Sequence, residues 1–365
     1  MRIIFDHSIF SKQAYGGVSR YFYELSKGFS NFPNISVEIV APIYINEYIN
    51  DIDNNIIGLK IPSYMPKPIK FSLLVNNAIA PIISKIKQPD IIHETYYAEK
   101  PLFSTGCKSI LTVYDMIHEL YPESFPETDQ TSELKRNAVD RADHVICISE
   151  NTQNDLIRLF GVPKEKTTVI HLGFKLKDKQ ESVLLTSNID SPYLLYVGNR
   201  GGYKNFSSLL KAYSESKCVH GSKLVCFGGG EFTLSEQEEI RKCGLDSSQI
   251  IQMAGDDSTL AGLYARAKLF VYPSLYEGFG IPPLEAMNYG CPVVCSNSSS
   301  IPEVVGEAAE LFDALSVDSL KNAIEKVFYS EEYASKLIQR GHDRIKFFSW
   351  DRCAKATLDL YKALI

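Results

Sequence analysis

Short runs of β-branched and aromatic residues recur along the chain, separated by stretches of helical periodicity, and this alternation most narrows what the chain can fold into. RIIFD, VEIVAPIYI, DIIH, SILTVYD, HVICIS and TTVIHL lie in the first half; YLLYVG, KLVCFGG, IIQMAG, KLFVYP and PVVCSN lie in the second. Segments with apolar residues at helical spacing, such as Val18–Phe29, Glu150–Phe160 and Phe206–Ser216, separate most of them. Strands that alternate with helices predict parallel, doubly wound α/β sheets.

The strands are too many for one such sheet, and 365 residues exceed the roughly 250–300 at which a single core stops growing. Two Rossmann-like domains are therefore expected, at about residues 1–178 and 179–365, with the polar stretch Lys175–Ser191 as their linker. A last helix, about Trp350–Leu364, reads as a packing helix of the second domain or as one that returns to the first. Ligands of open α/β sheets sit beyond the carboxyl ends of the strands, so two facing sheets predict an interdomain cleft lined by strand-end loops.

Composition removes several alternatives. A net charge of −6 argues against nucleic acid as a partner. The eight cysteines are scattered without CxxC or Cys/His spacing, which predicts buried free thiols and no metal site. MRIIFDHSIF lacks the pattern of a signal peptide, and no run reaches the roughly 18 apolar residues of a membrane span. The expectation is a soluble, cytoplasmic protein. One segment, LKIPSYMPKPIKFSLLVNNAIAPIISKIK, sets Lys60, Lys67, Lys70, Lys85 and Lys87 among apolar residues, a pattern that fits either peripheral contact with an anionic membrane or a solvated face over core helices.

The densest chemistry lies in YPSLYEGFGIPPLEAMNYGCPVVCS, from Tyr272 to Ser296. The strand breaks at Pro273, and a helix restarts around Pro282 and Pro283, where a missing N–H costs little. Glu285 is expected in the first helical turn, Gly290 ends the helix, and Glu277 lies in the loop before it. Backbone N–H groups of Gly278, Phe279, Gly280 and Ile281 face the same space, which suits anionic oxygen, while carboxylates suit vicinal hydroxyls. The residues suggest a sugar at Glu277, a ribose at Glu285 and phosphates between them. A dipole-serving acid and a solvated loop acid would be the plain alternative.

This stretch through Glu303, together with the rest of the chain, resembles the retaining glycosyltransferases of family 4, which have the GT-B fold. The resemblance implies that Glu277 contacts the donor sugar and Glu285 the nucleotide ribose. It implies that Arg200 and Lys204, in YLLYVGNRGGYKNFSSLL, bind the donor diphosphate, and that Gly16 and Gly17 form a loop closing over it. Many family members end the strand SILTVYD in a His-Asp pair; here the pair is Tyr114-Asp115 with His118 three residues on, so Asp115 or His118 is expected on the acceptor side.

Other candidates carry plainer alternatives. His93 and Glu94 in DIIHETYY are acceptor contacts or structural residues, and Ser149 or Asn151 is a helix cap ahead of Glu150–Phe160. VCFGGGEFT resembles a nucleotide-side loop or forms a simple turn, and the D-x-D spelling at 51–53 reads as coincidence. The resemblance implies transfer of a hexose from a nucleotide diphosphate sugar, GDP-mannose-like, to a glycan or lipid-linked glycan hydroxyl without a metal cofactor. Similar sequences build bacterial surface polysaccharide such as O-antigen. An epimerase of the same fold and an inactive sugar-nucleotide-binding homologue are the alternatives, the second disfavoured by the intact Glu277, Arg200 and Lys204.

Overall fold

A computed structural model describes residues 1–51, 55–62, 68–99, 106–175 and 189–365. Most of the expected linker, part of the D-x-D triplet and Lys67 lie outside the described residues. The chain forms two compact units: Met1–Leu120, Phe125–Gly173 and Ser349–Ile365 make the first, and Tyr121–Ser124 with Phe174–Phe348 make the second.

The first unit is built on seven parallel strands: β1 (Arg2–Phe5), β2 (Ser36–Tyr44), β3 (Ile56–Lys60), β4 (Ile91–Glu94), β5 (Lys108–Val113), β6 (His144–Cys147) and β7 (Thr167–Val169). Their order is β3-β2-β1-β4-β5-β6-β7, with the direction of winding reversing between β1 and β4. β4 and β6 are buried at every position, as strands covered on both faces must be. The helix Glu150–Phe160 begins at Ser149, whose Oγ accepts from the Thr152 N–H at 3.0 Å, so Ser149 is a cap as its sequence context predicts.

The last helix, Trp350–Leu364, packs in the first unit against the helix Gly17–Phe29. The contact is close enough to need glycine: a Cβ on Gly28 would stand 2.5 Å from that of Ala354. It also covers the end of β4, where Tyr361 hydrogen-bonds to His93.

The second unit has six parallel strands: β8 (Tyr193–Val197), β9 (Lys223–Phe227), β10 (Ile250–Met253), β11 (Leu269–Tyr272), β12 (Val293–Ser296) and β13 (Glu310–Phe312). Their order, β10-β9-β8-β11-β12-β13, is that of a dinucleotide-binding fold, and the switch point falls between β8 and β11. Leu194, Tyr196, Phe206, Leu209, Tyr213 and Leu224 form part of its core.

Two strands have no counterpart in the sequence reading, β3 and β13. Both lie at a sheet edge, and neither is buried along its length, so neither carries the unbroken apolar run that marks an interior strand.

Candidate active site

Strand order brings the principal residues together. The loops leaving β8 and β11 are neighbours at the switch point although some seventy residues separate them in sequence. They are stitched by three bonds: Leu275 N–H donates to Tyr203 O at 2.7 Å, Asn205 Nδ2 donates to Pro273 O at 3.1 Å, and Lys204 Nζ donates to Glu277 Oε1 at 2.7 Å. Asn205, left-handed at φ 57°, also reaches Ala314 O beyond β13 at 3.0 Å.

Glu277 is held by its backbone as well. Its N–H donates to Ser299 Oγ at 2.9 Å, and its carbonyl accepts from Ser299 Oγ at 2.6 Å and Ser300 Oγ at 2.8 Å. Ser299 adopts a left-handed φ of 55°, uncommon for a residue with a Cβ and a conformation the surrounding bonds must sustain. The Tyr272 hydroxyl bonds the Glu277 carboxylate, and burial with that neighbouring charge pushes this phenol far above its ordinary pKa. Glu277 is thus 8% exposed, charge-paired and fixed from three sides.

The following helix runs Ile281–Asn288 and starts from Gly280, whose φ of 103° favours glycine. Because Ile281 is the first helical residue, Glu285 is the fifth, in the second turn and not the first as expected. Pro282 and Pro283 both sit within the first turn, and neither has an N–H, so the donors at this helix start are those of Gly280 and Ile281, with Phe279 just before them. Glu285 Oε2 accepts from the Tyr264 hydroxyl at 3.3 Å, and Gly290, at φ 72°, follows the helix end.

Arg200 is placed apart from Lys204. Gly228, Gly229 and Gly230 are consecutively left-handed, at φ 86°, 69° and 72°, which turns their carbonyls toward one point. The Arg200 guanidinium fills it, donating to Gly228 O, Gly229 O, Gly230 O and Glu231 O at 2.9 to 3.2 Å. Its Nε donates to Glu236 Oε1 at 2.7 Å, and Phe232 lies under its plane. Burial alone would raise the Glu236 carboxyl, but Arg200 and Thr233 outweigh it and hold its pKa below the ordinary value. The three glycines thus form more than the simple turn that was one of their two alternatives: they are a cup of carbonyls for a cation.

In the first unit the acceptor-side candidates divide. His93 is fully buried, shared between Tyr361 and Thr112 Oγ1 and ringed by Phe5 and Phe22; burial pushes its imidazole down to about 3. Glu94 is paired bidentately with Arg141. Both are held by partners of their own unit, the structural one of the two alternatives their sequence left open. Asp115 accepts from Ile117 N–H at 3.0 Å and stands 3.8 Å from the buried Lys135 ammonium. His118 bonds Asp129 at 3.1 Å and stacks on Phe125, so Asp115 and His118 are held by different partners. Gly16 caps the helix Gly17–Phe29, and a Cβ there would strike the Gln13 side chain, while Gly17 faces open space.

Residues unnoticed in the sequence complete the picture. Asp6 Oδ1 accepts from the N–H groups of Ser8 at 2.9 Å and Thr95 at 3.1 Å, tying the ends of β1 and β4 together at the first unit's switch point. Beside it, both ring nitrogens of the buried His7 and the hydroxyl of Tyr114 lack a partner among the described residues. Burial lowers the pKa of His7, against the pull of Asp6. The signal for His7 was its place directly after β1; for Ser299 and Ser300 it was the serine run after β12.

Two doubly wound parallel sheets in one chain, with an acid–ammonium pair set at a switch point, are the architecture of a two-unit α/β enzyme that takes its ligand at strand ends. Residues 15–178 match the family model "Glycosyltransferase Family 4", and residues 178–344 match "Glycosyl transferases group 1". The chain belongs to the family-4 glycosyltransferases. It is 30% identical to the "O-antigen chain mannosyltransferase B" of Escherichia coli, over 70% of this chain and 71% of that protein. It is 25% identical to the E. coli "Serotype-specific mannosyltransferase WbdA" over 76% of this chain, and spans only 37% of that longer protein. The crystal structure of Anabaena Alr3699/HepE in complex with UDP and glucose superposes with a TM-score of 0.72 at 16% identity, covering 100% of both chains.

Proposed function

We propose that this enzyme moves a hexose, mannose from a GDP-mannose-like donor, onto a hydroxyl of a glycan or lipid-linked glycan in surface polysaccharide synthesis, with retention at the anomeric carbon. The Lys204–Glu277 pair at the second unit's switch point carries the reading. An ammonium has three donors, so Lys204 can keep Glu277 and still take a phosphate oxygen. Glu285, eight residues on, is assigned the ribose diol, and the N–H groups of Gly280 and Ile281 at the helix start are assigned the diphosphate between.

In the reaction the bond from C1 to the β-phosphate oxygen breaks, and the nucleoside diphosphate leaves with the electron pair. The acceptor oxygen bonds C1 on the same face, and its proton passes to the departing phosphate oxygen. Lys204 and the helix-start donors meet the charge that grows on the leaving group, which is where fixed donors lower a barrier most. They do so in place of a divalent cation. The acceptor is taken by the first unit, near whose switch point the buried His7 ring and Tyr114 hydroxyl lack a partner among the described residues. Mannose is favoured by the names of the relatives in E. coli, and UDP in the HepE complex makes the uridine donors the necessary control.

A thermal-shift panel of GDP, UDP, ADP and their sugar conjugates tests this, since a ligand of the native state raises Tm with its concentration over Kd. GDP and GDP-mannose should give the largest shifts, unaltered by EDTA. No shift with any nucleotide refutes the donor site. Conversion of the donor sugar to its epimer without acceptor would reassign the chain to epimerisation.

A further inference from the structure

The helix Pro68–Lys87 is built the wrong way round for the cover of a soluble sheet. Ser72, Asn76, Ala80 and Ser84, four residues apart and so on one face, form its buried stripe. Asn76 supplies the hold. Its Oδ1 accepts from Ile43 N–H at 2.7 Å, and its Nδ2 donates to Ile43 O at 2.7 Å and Ser11 Oγ at 2.8 Å. The β2–β3 register shifts between Val40 and Ile43, and the Asn76 amide satisfies Ile43 there.

The opposite face is apolar and faces water. Phe71, Leu74, Ile82 and Ile86, also at helical spacing, are 49%, 73%, 61% and 75% exposed. Single exposed apolar residues are ordinary, but a row of four along one helix marks a surface that something covers. The helix has no Asp or Glu, and Lys70 and Lys85 stand exposed beside the row in a chain of net charge −6.

We propose that this helix lies on an anionic lipid surface, with the Phe71–Ile86 row among the acyl chains and Lys70 and Lys85 at the headgroups. An apolar face flanked by lysines is the composition of an interfacial helix. By length and composition, Ile69–Lys87 could instead span a bilayer. Spanning would strip Asn76 from Ile43 and put four small or polar residues in hydrocarbon. A second copy is the weaker occupant, because symmetric pairing of this face would bring lysines against lysines.

Sedimentation of the full chain with phosphatidylcholine vesicles, with and without phosphatidylglycerol, tests the proposal and involves no nucleotide, so it is read independently of the transferase assignment. Binding should require phosphatidylglycerol and weaken as salt rises. Leu74→Glu with Ile82→Glu should weaken it more than about tenfold. Lys70→Gln with Lys85→Gln, which disturbs no packing, should weaken it about fivefold for each lysine. Absence of binding, equal binding to neutral vesicles, or wild-type binding by both variants overturns the proposal. A dimer that Leu74→Glu with Ile82→Glu dissociates, without vesicle binding, would give the face to a second copy instead.

Discussion

Lys204 and Arg200 lie four residues apart in one loop and are given different work by their surroundings. Lys204 meets the carboxylate of Glu277, while Arg200 neutralises the carbonyl cup of Gly228–Glu231. Lys204→Ala should therefore lower kcat by about 10²–10³-fold, the loss seen for one fixed donor to a developing anion, with little change in Tm. Arg200→Ala should act first on stability, costing about 3–5 kcal/mol as four carbonyls and Glu236 lose a buried cation. Urea unfolding and steady-state kinetics on the two variants separate the roles; unchanged stability in Arg200→Ala would return that residue to direct contact with the diphosphate. The sequence showed both cations in the right loop. Which way each pointed depended on three left-handed glycines some thirty residues later, and no local pattern carries that.

Helix starts and strand ends decide how far the two carboxylates stand from each other. Gly280 turns the chain from the Glu277 loop into the helix Ile281–Asn288 at a φ of 103°. Gly280→Ala should cost about 1–2 kcal/mol of stability and, for the proposed donor site, raise the donor KM by moving Glu285 relative to Glu277. Equilibrium unfolding and donor-saturation curves check both parts. Elements buried on both faces were legible from their apolar runs, as β4, β6 and β8 show. Edge strands β3 and β13 were not, since a strand with one neighbour needs no unbroken apolar run. The proline pair marked the helix start to within one turn, and the difference moved Glu285 into the second.

For the whole molecule, the main division falls between Gly173 and Phe174, near the expected residue 178, and the last helix returns to the first unit, one of the two alternatives its sequence left open. A fragment ending at 178 would lack Ala354, Leu358 and Tyr361, all buried, and should fail to fold, with residues 349–365 supplied in trans restoring it. Far-UV circular dichroism of the fragment with and without that peptide decides the point. The same helix couples to pH through His93. Its folded imidazole is depressed to about 3 against an ordinary 6.5, so the stability it contributes is full above 6.5. Below that the unfolded chain binds a proton that the folded chain refuses, and stability is lost progressively toward 3. His7, also depressed by burial, acts in the same direction. Tm should therefore fall from pH 6.5 downward before the carboxylates titrate, and His93→Gln should flatten that slope.

By itself the sequence determined the fold class, the presence of two sheets, and the loop in which Arg200, Lys204 and Glu277 lie. Alternating strand and helix periods, glycines and prolines at turns, and charged residues at strand ends are local properties, written within a dozen residues. Tertiary structure alone decided which strands became neighbours at the switch points, that Lys204 and Arg200 part company, that His93 is a core residue, and that the helix Pro68–Lys87 shows its apolar face to the outside. Each of these depends on a partner far away in the chain, which packing brings near and which no short stretch of sequence contains.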